Sequence, residues 1–333
     1  MNSGASQEKF AQAGPLIATL TVNPAVDVAA QADAVRPGHK IRTFGERFDP
    51  GGGGINVAHV VHELGGRALA IVATGGVTGR YVEAMLGQSG VPTVSVPIAG
   101  ATRISFTVLD RKQGGEYRFV PQGPRLEPAE CAAILQAIDR LEADWLVISG
   151  SLPPGVASDF YAEVAHTAAA RGIRVALDTS GPPLKASLGR NISILKPSLS
   201  EFEAIVGREA RDDATRATLA LELVRSGASA MIALTLGEAG AMVATAEGVR
   251  HAAAIPVSER TGVGAGDSFL AGLVLGLARG WPTDKALGLA MATAAVAVSH
   301  SGTASVCRAE VEALLGKSLV KRAAVERPEI LTG

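Results

Sequence analysis

Residues Thr261–Phe269 read TGVGAGDSF and open an alanine- and leucine-rich stretch that runs to Arg279. Glycines at the start of a helix let a ligand approach the backbone closely, and the unpaired N–H groups of the first turn favour an anion. Asp267 falls in that turn, where the helix dipole stabilises a carboxylate that can accept a proton from a nearby hydroxyl. The segment therefore predicts a phosphate or oxyanion cradle beside a candidate base; the alternative is an ordinary glycine-rich turn.

A second glycine cluster, GGGGINVA at Gly51–Ala58, also leads into a helical stretch and carries Asn56 in its opening turns. Ordering four consecutive glycines costs backbone entropy, so a fixed role for them implies close approach by a ligand or by other chain segments. Asp27 follows the first apolar run, and SGSLPP at 149–154 follows another. Because ligands bind at the carboxyl ends of strands in open α/β sheets, both segments are candidate site elements.

Strand-length and helix-length segments alternate along most of the chain. Apolar, β-branched runs have the length of buried strands, and Ala/Leu-rich stretches have helical spacing. This alternation predicts an α/β fold with a mostly parallel central sheet. The predicted strands are Leu16–Val22, Ala68–Thr74, Trp145–Ser149, Ile173–Asp178, Ile192–Lys196 and Ala230–Thr235, and the predicted helices are Ile55–Leu64, Arg80–Gln88, Pro128–Leu141, Ser158–Arg171, Asp212–Arg225, Ala265–Arg279 and Thr283–Ser299.

One region breaks this alternation. Apolar and polar side chains alternate over Arg103–Asp110, a turn follows at 111–115, and the alternation resumes over Glu116–Val120. The pattern predicts a β-hairpin with one apolar face that needs a partner. Together with the charged, extended stretch Lys40–Phe48, it predicts a small sheet that serves as a lid or an oligomer contact, over about residues 31–49 and 101–122.

The composition excludes several classes of partner. Of the 333 residues 47% are hydrophobic, and 31 Lys and Arg against 32 Asp and Glu give a formal net charge of −1. Neither nucleic acid nor an anionic membrane surface is therefore an expected partner. The longest uncharged run, Ala286–Cys307, is continuously apolar only to Val298, which is too short to span a membrane. No apolar signal segment precedes Pro15, so a cytoplasmic location is expected.

The two glycine motifs, GGGGINVA at Gly51–Ala58 and GVGAGDSF at Gly262–Phe269, together resemble the paired signatures of the PfkB, or ribokinase-like, carbohydrate kinases. The resemblance extends from Ala18 to about Thr303. It implies a three-layer ribokinase-like fold with helices on both faces of the central sheet, a small β-sheet lid, and phosphoryl transfer from ATP to a sugar. The segments TLTVNPAVD at 19–27 and SGSLPPG at 149–155 are most similar to the phosphosugar branch of this family.

The glycine motif at Gly51–Ala58 indicates which substrate is expected within that branch. Gly53 stands where 1-phosphofructokinases and tagatose-6-phosphate kinases generally carry lysine, and glycine there is similar to the B-type 6-phosphofructokinases. The segments EYRFV at 116–120 and FDP at 48–50 are similar to the same enzymes. The resemblance therefore implies fructose 6-phosphate, phosphorylated at its 1-hydroxyl to fructose 1,6-bisphosphate. A 1-phosphofructokinase, a tagatose-6-phosphate kinase or another sugar kinase of the family remains an alternative.

The resemblance also implies a role for each matching residue on the sugar side. Asp267 is expected to take the proton of the sugar hydroxyl while amides across Gly264, Ala265 and Gly266 stabilise charge on the transferring phosphoryl group. The substrate phosphate, a dianion, calls for several cationic donors. Sugar hydroxyls are expected to be held by Asp27, Gly52, Gly53, Asn56 and Ser151, and the phosphate by Lys40, Arg42, Arg103 and Arg118.

On the nucleotide side this sequence departs from the family at one position. Ser198 stands where the family usually has the asparagine of an Asn-x-x-Glu motif, while Glu201 is retained to organise the water shell of Mg²⁺. A serine hydroxyl lacks the reach and the paired donor and acceptor of an amide, so nucleotide affinity, magnesium dependence or donor choice is expected to differ. A catalytically weak sugar-phosphate-binding regulator is therefore a second hypothesis. The residues expected at ATP are Lys196, Ser198, Thr235, Gly237 and Gly240.

The expected domain organisation is simple. Residues 1–14 are expected to form a flexible tail, residues 15–320 one kinase domain that carries the lid, and residues 321–333 a C-terminal tail. In the family the lid also forms the subunit contact, so a homodimer through the lid is expected. Cys131 and Cys307 are too few and too isolated for a disulfide framework or a zinc cluster.

Overall fold

The computed structural model of the protein describes residues 14–258, 264–300, 305–317 and 320–323. A ten-stranded sheet forms its centre, in the order β14-β13-β12-β11-β10-β9-β8-β1-β4-β5. Strands from β5 to β11 pair in parallel, and β12, β13 and β14 extend one edge antiparallel. The strands are β1 (Leu16–Thr21), β4 (Arg67–Thr74), β5 (Thr93–Pro97), β8 (Trp145–Ser149), β9 (Arg174–Asp178), β10 (Ile194–Leu195), β11 (Met231–Thr235), β12 (Ala241–Thr245), β13 (Gly248–Ala252) and β14 (Val320–Arg322).

Helices cover both faces of this sheet, so the α/β three-layer prediction is confirmed. Alternate residues of β1 enter different hydrophobic clusters, because strand side chains alternate between faces: Ile17 belongs to the cluster that includes residues of α1, α8 and α9, and Leu20 to the cluster that includes residues of α3, α4 and α7. The helices are α1 (Gly53–Glu63), α2 (Gly76–Gln88), α3 (Pro128–Asp139), α4 (Phe160–Ala170), α5 (Gly181–Ala186), α6 (Leu199–Val206), α7 (Asp213–Arg225), α8 (Ala265–Ala278), α9 (Thr283–Ser299) and α10 (Arg308–Leu314).

Glycines in α8 let α9 pack closely against it. A Cβ built on Gly272 would lie 2.9 Å from the Cα of Ala290, and one on Gly276 would lie 2.8 Å from the Cα of Ala286. These glycines therefore serve helix packing, which holds the N-terminus of α8 at the edge of the sheet. Within the described ranges no helix is long and apolar enough to cross a membrane.

A separate four-stranded sheet, called the small sheet below, stands beside α2 in the order β3-β2-β6-β7. Its β6–β7 hairpin occupies the predicted segment, and its strands β2 and β6 are parallel. The charged stretch around residue 40 differs from expectation: Lys40 and Arg42 lie in an exposed connection, and the strand begins only at Phe44. The strands are β2 (Ala25–Ala32), β3 (Phe44–Gly51), β6 (Arg103–Asp110) and β7 (Glu116–Phe119).

The apolar face of the small sheet is covered in part by the same chain. Val26 and Val28 belong to the main hydrophobic cluster, and Phe106 packs against it. The rings of Phe48 on β3 and Tyr81 on α2 meet edge to face at 6.1 Å. Helix α2 therefore covers part of this face within the chain, while Ile104 and Phe119 stay exposed, and the prediction that the face needs a partner stays a prediction.

The expected tails lie mostly outside the described residues. Residues 1–13 and 324–333 belong to them, and Gly262 of the phosphate-cradle motif is also outside. The division into tails and one kinase domain stays a prediction.

Candidate active site

The polar residues of the site come together where parallel strands end and two helices begin. Strands β1, β8, β9 and β10 point their carboxyl ends toward the first turns of α1 and α8. Asp267, in the first turn of α8, lies at the centre of this region. Its Oδ2 accepts a hydrogen bond from Nδ2 of Asn56 at 2.8 Å, and its Oδ1 accepts one from Oγ of Ser149 at 3.3 Å.

The surroundings of Asp267 set its charge. Burial, followed by repulsion from the Asp178 carboxylate, raises the pKa of Asp267 to about 7. The hydrogen bonds from Asn56 and Ser149 and the ammonium of Lys196 oppose this rise. A carboxyl group with a pKa near neutrality suits a general base, because it takes up a proton readily and is still ionised above pH 7.

The start of α8 offers N–H groups to an anion. Gly264 precedes the helix with φ of 80°, a left-handed conformation that favours glycine, and the first N–H groups of the helix follow it. A Cβ on Gly266 would lie 3.4 Å from Nζ of Lys196, so the lysine lies directly against this turn. The predicted cradle residues Gly264, Ala265 and Gly266 thus combine helix N–H groups with a cation.

Lys196 is held by a buried ion pair. Its Nζ lies 3.0 Å from Oδ2 of Asp178, and the residue is only 6% exposed. Burial disfavours the ammonium, but the carboxylates of Asp178, Asp267 and Glu201 together keep the pKa of Lys196 above its ordinary value. Lys196 therefore stays protonated and places a positive charge beneath the anion cradle.

The glycines of the second motif are packed too tightly for side chains. A Cβ on Gly53 would overlap the Ser149 hydroxyl and lie 2.9 Å from Oδ1 of Asp267. Gly52 has φ of 131°, and a Cβ there would lie 2.5 Å from Cγ2 of Thr21. These contacts explain the glycine run at the start of α1, which also delivers Asn56 to Asp267.

Asp27 lies on the small sheet and not at the end of β1, where the sequence placed it. It is the third residue of β2, beside Ser105 of β6 and Asp49 of β3. Burial raises the pKa of Asp27, while a hydrogen bond with Ser105 and the charges of Arg103 and Arg118 lower it. The two arginines and Asp27 therefore share one polar face of the small sheet.

The structure does not assemble all predicted phosphate ligands. Arg103 donates from Nη2 to the carbonyl oxygen of Asn23 and from Nη1 to that of Pro121, both at 2.8 Å. Lys40 and Arg42 are exposed, and within the described ranges neither forms a hydrogen bond or ion pair with the other site residues. Ser151 is held by Nδ2 of Asn23 at 3.4 Å.

The predicted nucleotide-side residues lie at the ends of β10 and β11. Ser198 pairs with Thr235 in a parallel bridge, and Thr235 bonds to the carbonyl of Pro197. Gly237 and Gly240 both have positive φ, and a Cβ on Gly240 would overlap the carbonyl oxygen of Ala252. The loop after β11 therefore depends on glycine for its shape.

Ser198 caps α6 together with Glu201. Its Oγ donates to Oε2 of Glu201 at 2.8 Å and accepts from the N–H of Glu201 at 3.4 Å. The N–H of Ser198 donates to the same Oε2 at 2.8 Å. This reciprocal capping box fixes the orientation of the Glu201 carboxylate.

Three residues of this region were not among the predicted site residues: Ser149, Asp178 and Asn23. Ser149 and Asp178 end neighbouring strands β8 and β9, which pair in register. Their position at the ends of apolar runs was the available signal. Their contacts with Asp267 and Lys196 depend on tertiary structure and are invisible in the local sequence.

Known proteins share this architecture. The family model for pfkB family carbohydrate kinases matches residues 21–310. The ATP-dependent 6-phosphofructokinase isozyme 2 of Mycobacterium tuberculosis is 41% identical over 303 residues, covering 90% of this chain and 88% of that protein. The isozyme 2 of Escherichia coli is 36% identical over 291 residues, covering 86% and 94%.

A solved structure extends the match to three dimensions. Phosphofructokinase-2 from Escherichia coli in complex with fructose-6-phosphate superposes with a TM-score of 0.86 at 32% identity, covering 91% of this chain and 99% of that one. Fold, glycine motifs and sequence identity agree with one another. The chain belongs to the pfkB family of carbohydrate kinases.

Proposed function

We propose that the protein is an ATP-dependent 6-phosphofructokinase, which transfers the γ-phosphoryl group of ATP to the 1-hydroxyl of fructose 6-phosphate and yields fructose 1,6-bisphosphate. The observation that carries the proposal is the Asp267 carboxyl group, with a pKa of about 7, at the glycine-rich start of α8. The two 6-phosphofructokinase relatives support the choice of substrate.

Different residues of the site have different roles in the phosphoryl transfer. Asp267 accepts the proton of the sugar hydroxyl as that oxygen attacks the γ-phosphorus, and the bond from phosphorus to the β–γ bridging oxygen of ATP breaks. Asn56 and Ser149 orient the carboxylate. The N–H groups at the start of α8 and the Lys196 ammonium stabilise negative charge on the phosphoryl group in transit.

The small sheet supplies the charge that holds the sugar phosphate. Arg103 and Arg118 lie close enough to Asp27 to offset part of the rise in pKa that burial causes, so this face combines a hydroxyl acceptor with cationic donors. Lys40 and Arg42 extend from the adjoining exposed segment. We assign the phosphate of fructose 6-phosphate to these four cations.

The packing around Gly53 supports fructose 6-phosphate over fructose 1-phosphate or tagatose 6-phosphate. A Cβ at this position would overlap the Ser149 hydroxyl, so a lysine in place of Gly53 does not fit the site as it is built. The site lacks the additional cation that 1-phosphofructokinases and tagatose-6-phosphate kinases generally carry there.

The donor chemistry near Lys196 fits Mg²⁺. The carboxyl groups of Asp178, Glu201 and Asp267 all lie close enough to one ammonium to raise its pKa, so oxygen donors of the kind that Mg²⁺ prefers are gathered here. Within the described ranges no group of three or more His, Cys, Asp or Glu residues is arranged to hold a metal directly. We therefore assign Mg²⁺ to water-mediated contact with Glu201 and to the nucleotide phosphates. When bound, the ion neutralises charge on those phosphates.

We further propose a homodimer through the small sheet and a cytoplasmic role in glycolysis. On and beside β6 and β7, Ile104, Phe119 and Val120 remain 47%, 59% and 58% exposed beyond the reach of α2. ATP and fructose 6-phosphate are cytoplasmic metabolites, which supports the location. Light scattering should give twice the chain mass of 33.9 kDa, and Phe119→Ser with Val120→Ser should halve it; a monomeric wild type would exclude the dimer.

The test of function is coupled ADP release from MgATP with fructose 6-phosphate, fructose 1-phosphate, tagatose 6-phosphate, fructose, ribose and adenosine. We expect clear preference for fructose 6-phosphate and a loss of about 10²–10⁴-fold in kcat for Asp267→Asn, which keeps the shape and removes the base. Preference for another sugar overturns the substrate assignment. Unchanged turnover in Asp267→Asn overturns the mechanism, and no turnover with any sugar favours the regulator.

A further inference from the structure

Asn23 lies at the junction between the large sheet and the small sheet. It follows β1, precedes Pro24 and the first residue of β2, and is only 4% exposed. Its Nδ2 donates to the carbonyl oxygen of Gln122 at 2.8 Å and to Oγ of Ser151 at 3.4 Å. An amide nitrogen carries two hydrogens, so both bonds form at the same time.

Arg103 forms further hydrogen bonds at the same junction. The hydrogen bonds made by Asn23 and Arg103 are together called the clip below. The guanidinium of Arg103 bonds the carbonyl oxygens of Asn23 and Pro121. The chain first enters the small sheet just after Asn23 and finally leaves it just before Pro121, where β7 has ended; in between it leaves after β3 and re-enters at β6. Asn23 and Arg103 therefore tie together the first and the last of the four points at which the small sheet joins the rest of the molecule.

The segment that follows β7 packs closely against the side-chain amide of Asn23. Gly123 has φ of 95°, and a Cβ there would overlap Oδ1 of Asn23. Within the described part of the chain, that buried Oδ1 has no hydrogen-bond partner. A buried acceptor without a partner costs free energy, which an apolar side chain of the same size avoids. The favourable contribution of the Asn23 amide therefore comes from the two hydrogen bonds that Nδ2 donates.

We infer that Asn23 is a positioning residue for the phosphosugar. It fixes the small sheet, with Asp27 and Arg103, relative to Ser151 in the loop that follows β8 of the large sheet. The sugar and its phosphate need groups from both sheets at once, so a change in this spacing weakens binding of the phosphosugar while the nucleotide side, at β10 and β11, is unaffected. The inference rests on the proposed function for the identity of the sugar.

Asn23→Ala removes both hydrogen bonds that Nδ2 donates. Gly123→Ala disturbs the same clip, because its Cβ would overlap Oδ1 of Asn23. Thr74→Val is the matched control: Thr74 is equally buried and ends the adjacent strand β4, and among the described residues its hydroxyl bonds only Glu83. Steady-state kinetics with each substrate and hydrogen exchange of residues 116–124 without ligand are measured on all three variants.

For Asn23→Ala we expect the KM for fructose 6-phosphate to rise about tenfold, the KM for ATP to stay within about twofold, and exchange in 116–124 to accelerate. Gly123→Ala should act in the same direction. The double variant should match the more affected single variant and not the product of the two, because both changes break one clip. Thr74→Val should lower the melting temperature and leave KM and exchange in 116–124 unchanged.

Faster exchange with an unchanged KM for the phosphosugar would show a purely structural clip and overturn the inference. Equal rises in both KM values, or the same change in Thr74→Val, would overturn it as general destabilisation. Failure of the proposed function is distinguishable: the wild type itself would then prefer another sugar of the panel, and the same comparison is made with that sugar.

Discussion

At the residue scale, the ionisation of Asp267 links the packing of the site to its pH dependence. Burial and the neighbouring Asp178 raise the pKa of Asp267 to about 7, and the hydrogen bond from Asn56 is the strongest of the influences that lower it. A base works only when deprotonated, so activity should fall below about pH 7 as the carboxylate takes up a proton.

Asn56→Ala should therefore move the acid limb of the pH profile to higher pH, because the carboxylate loses its 2.8 Å hydrogen bond. Ser149→Ala should move it in the same direction by less, since that bond is 3.3 Å long. The measurement is kcat/KM against pH on one sugar for all three proteins, so that titration of the substrate phosphate, with a second pKa of about 6, cancels. A shift to lower pH would contradict the assignment of Asp267 as base.

Gly53 allows a second prediction at this scale. Gly53→Ala introduces a Cβ against Ser149 and Asp267, so both must shift. We expect kcat/KM to fall about 10²-fold, the effect of displacing a catalytic group by about 1 Å. Gly87→Ala in α2 is the control, because a Cβ there has no atom within 4 Å. Retained activity in Gly53→Ala would contradict this prediction, because it would show that the first turn of α1 can shift to accommodate the added Cβ.

The site residues that the sequence identified are those whose signal is local. Glycine runs before helices mark Gly53 and Gly264, and the first turn marks Asp267. Ser149 lies 118 residues from Asp267, and only the parallel pairing of β8 with β1 and β9 brings it near. Asp27 was identified because it follows the first apolar run, yet its place on β2 was missed.

At the scale of elements, Asp110 organises the loops of the small sheet. It ends β6 and accepts hydrogen bonds from the N–H groups of Val35 at 2.9 Å, Lys112 at 2.9 Å and Gln113 at 3.0 Å. These backbone bonds, that of Val35 first, lower the pKa of Asp110 below its ordinary value. The carboxylate thereby joins the hairpin turn to the segment that leads to Lys40.

Asp110→Ala should accelerate amide exchange at residues 35, 112 and 113 at least about tenfold, as local opening becomes easier. Because the pKa is lowered on folding, this stabilisation is present above about pH 4 and is lost as the pH falls through the folded-state value. Melting temperatures of wild type and variant should therefore converge in acid. Asp33→Ala, at an exposed site in the same segment, should change neither property; an equal effect there would contradict the role of Asp110.

Elements with strong periodicity were predictable, and weakly patterned ones were not. The predicted strand Trp145–Ser149 is confirmed at both ends, and so is the predicted helix Thr283–Ser299. Strand β2 was missed because half of its residues are alanines, which carry a weak strand signal, although its buried positions alternate. Strand β12 was missed because it is buried on both faces and shows no alternation.

At the scale of the whole molecule, the small sheet shares the hydrophobic core of the large one. Val26 and Val28 of β2 belong to the same cluster as Val57 of α1 and Phe269 of α8. Among the described residues, the buried side chains of the small sheet therefore form no separate hydrophobic cluster. Separate unfolding of the two sheets would expose the shared cluster, which ties them into one cooperative unit.

Calorimetry should accordingly show one unfolding transition. Fructose 6-phosphate at a hundredfold excess over its Kd should raise the midpoint by about 4 °C, the shift expected when a chain of this length gains about 2.7 kcal/mol from ligand binding. Fructose at the same concentration should leave the midpoint unchanged, because Arg103 and Arg118 on the small sheet have no phosphate to bind. Two transitions, with only the first moved by the ligand, would instead mean that the small sheet unfolds independently and that Val26 and Val28 contribute little to the main core.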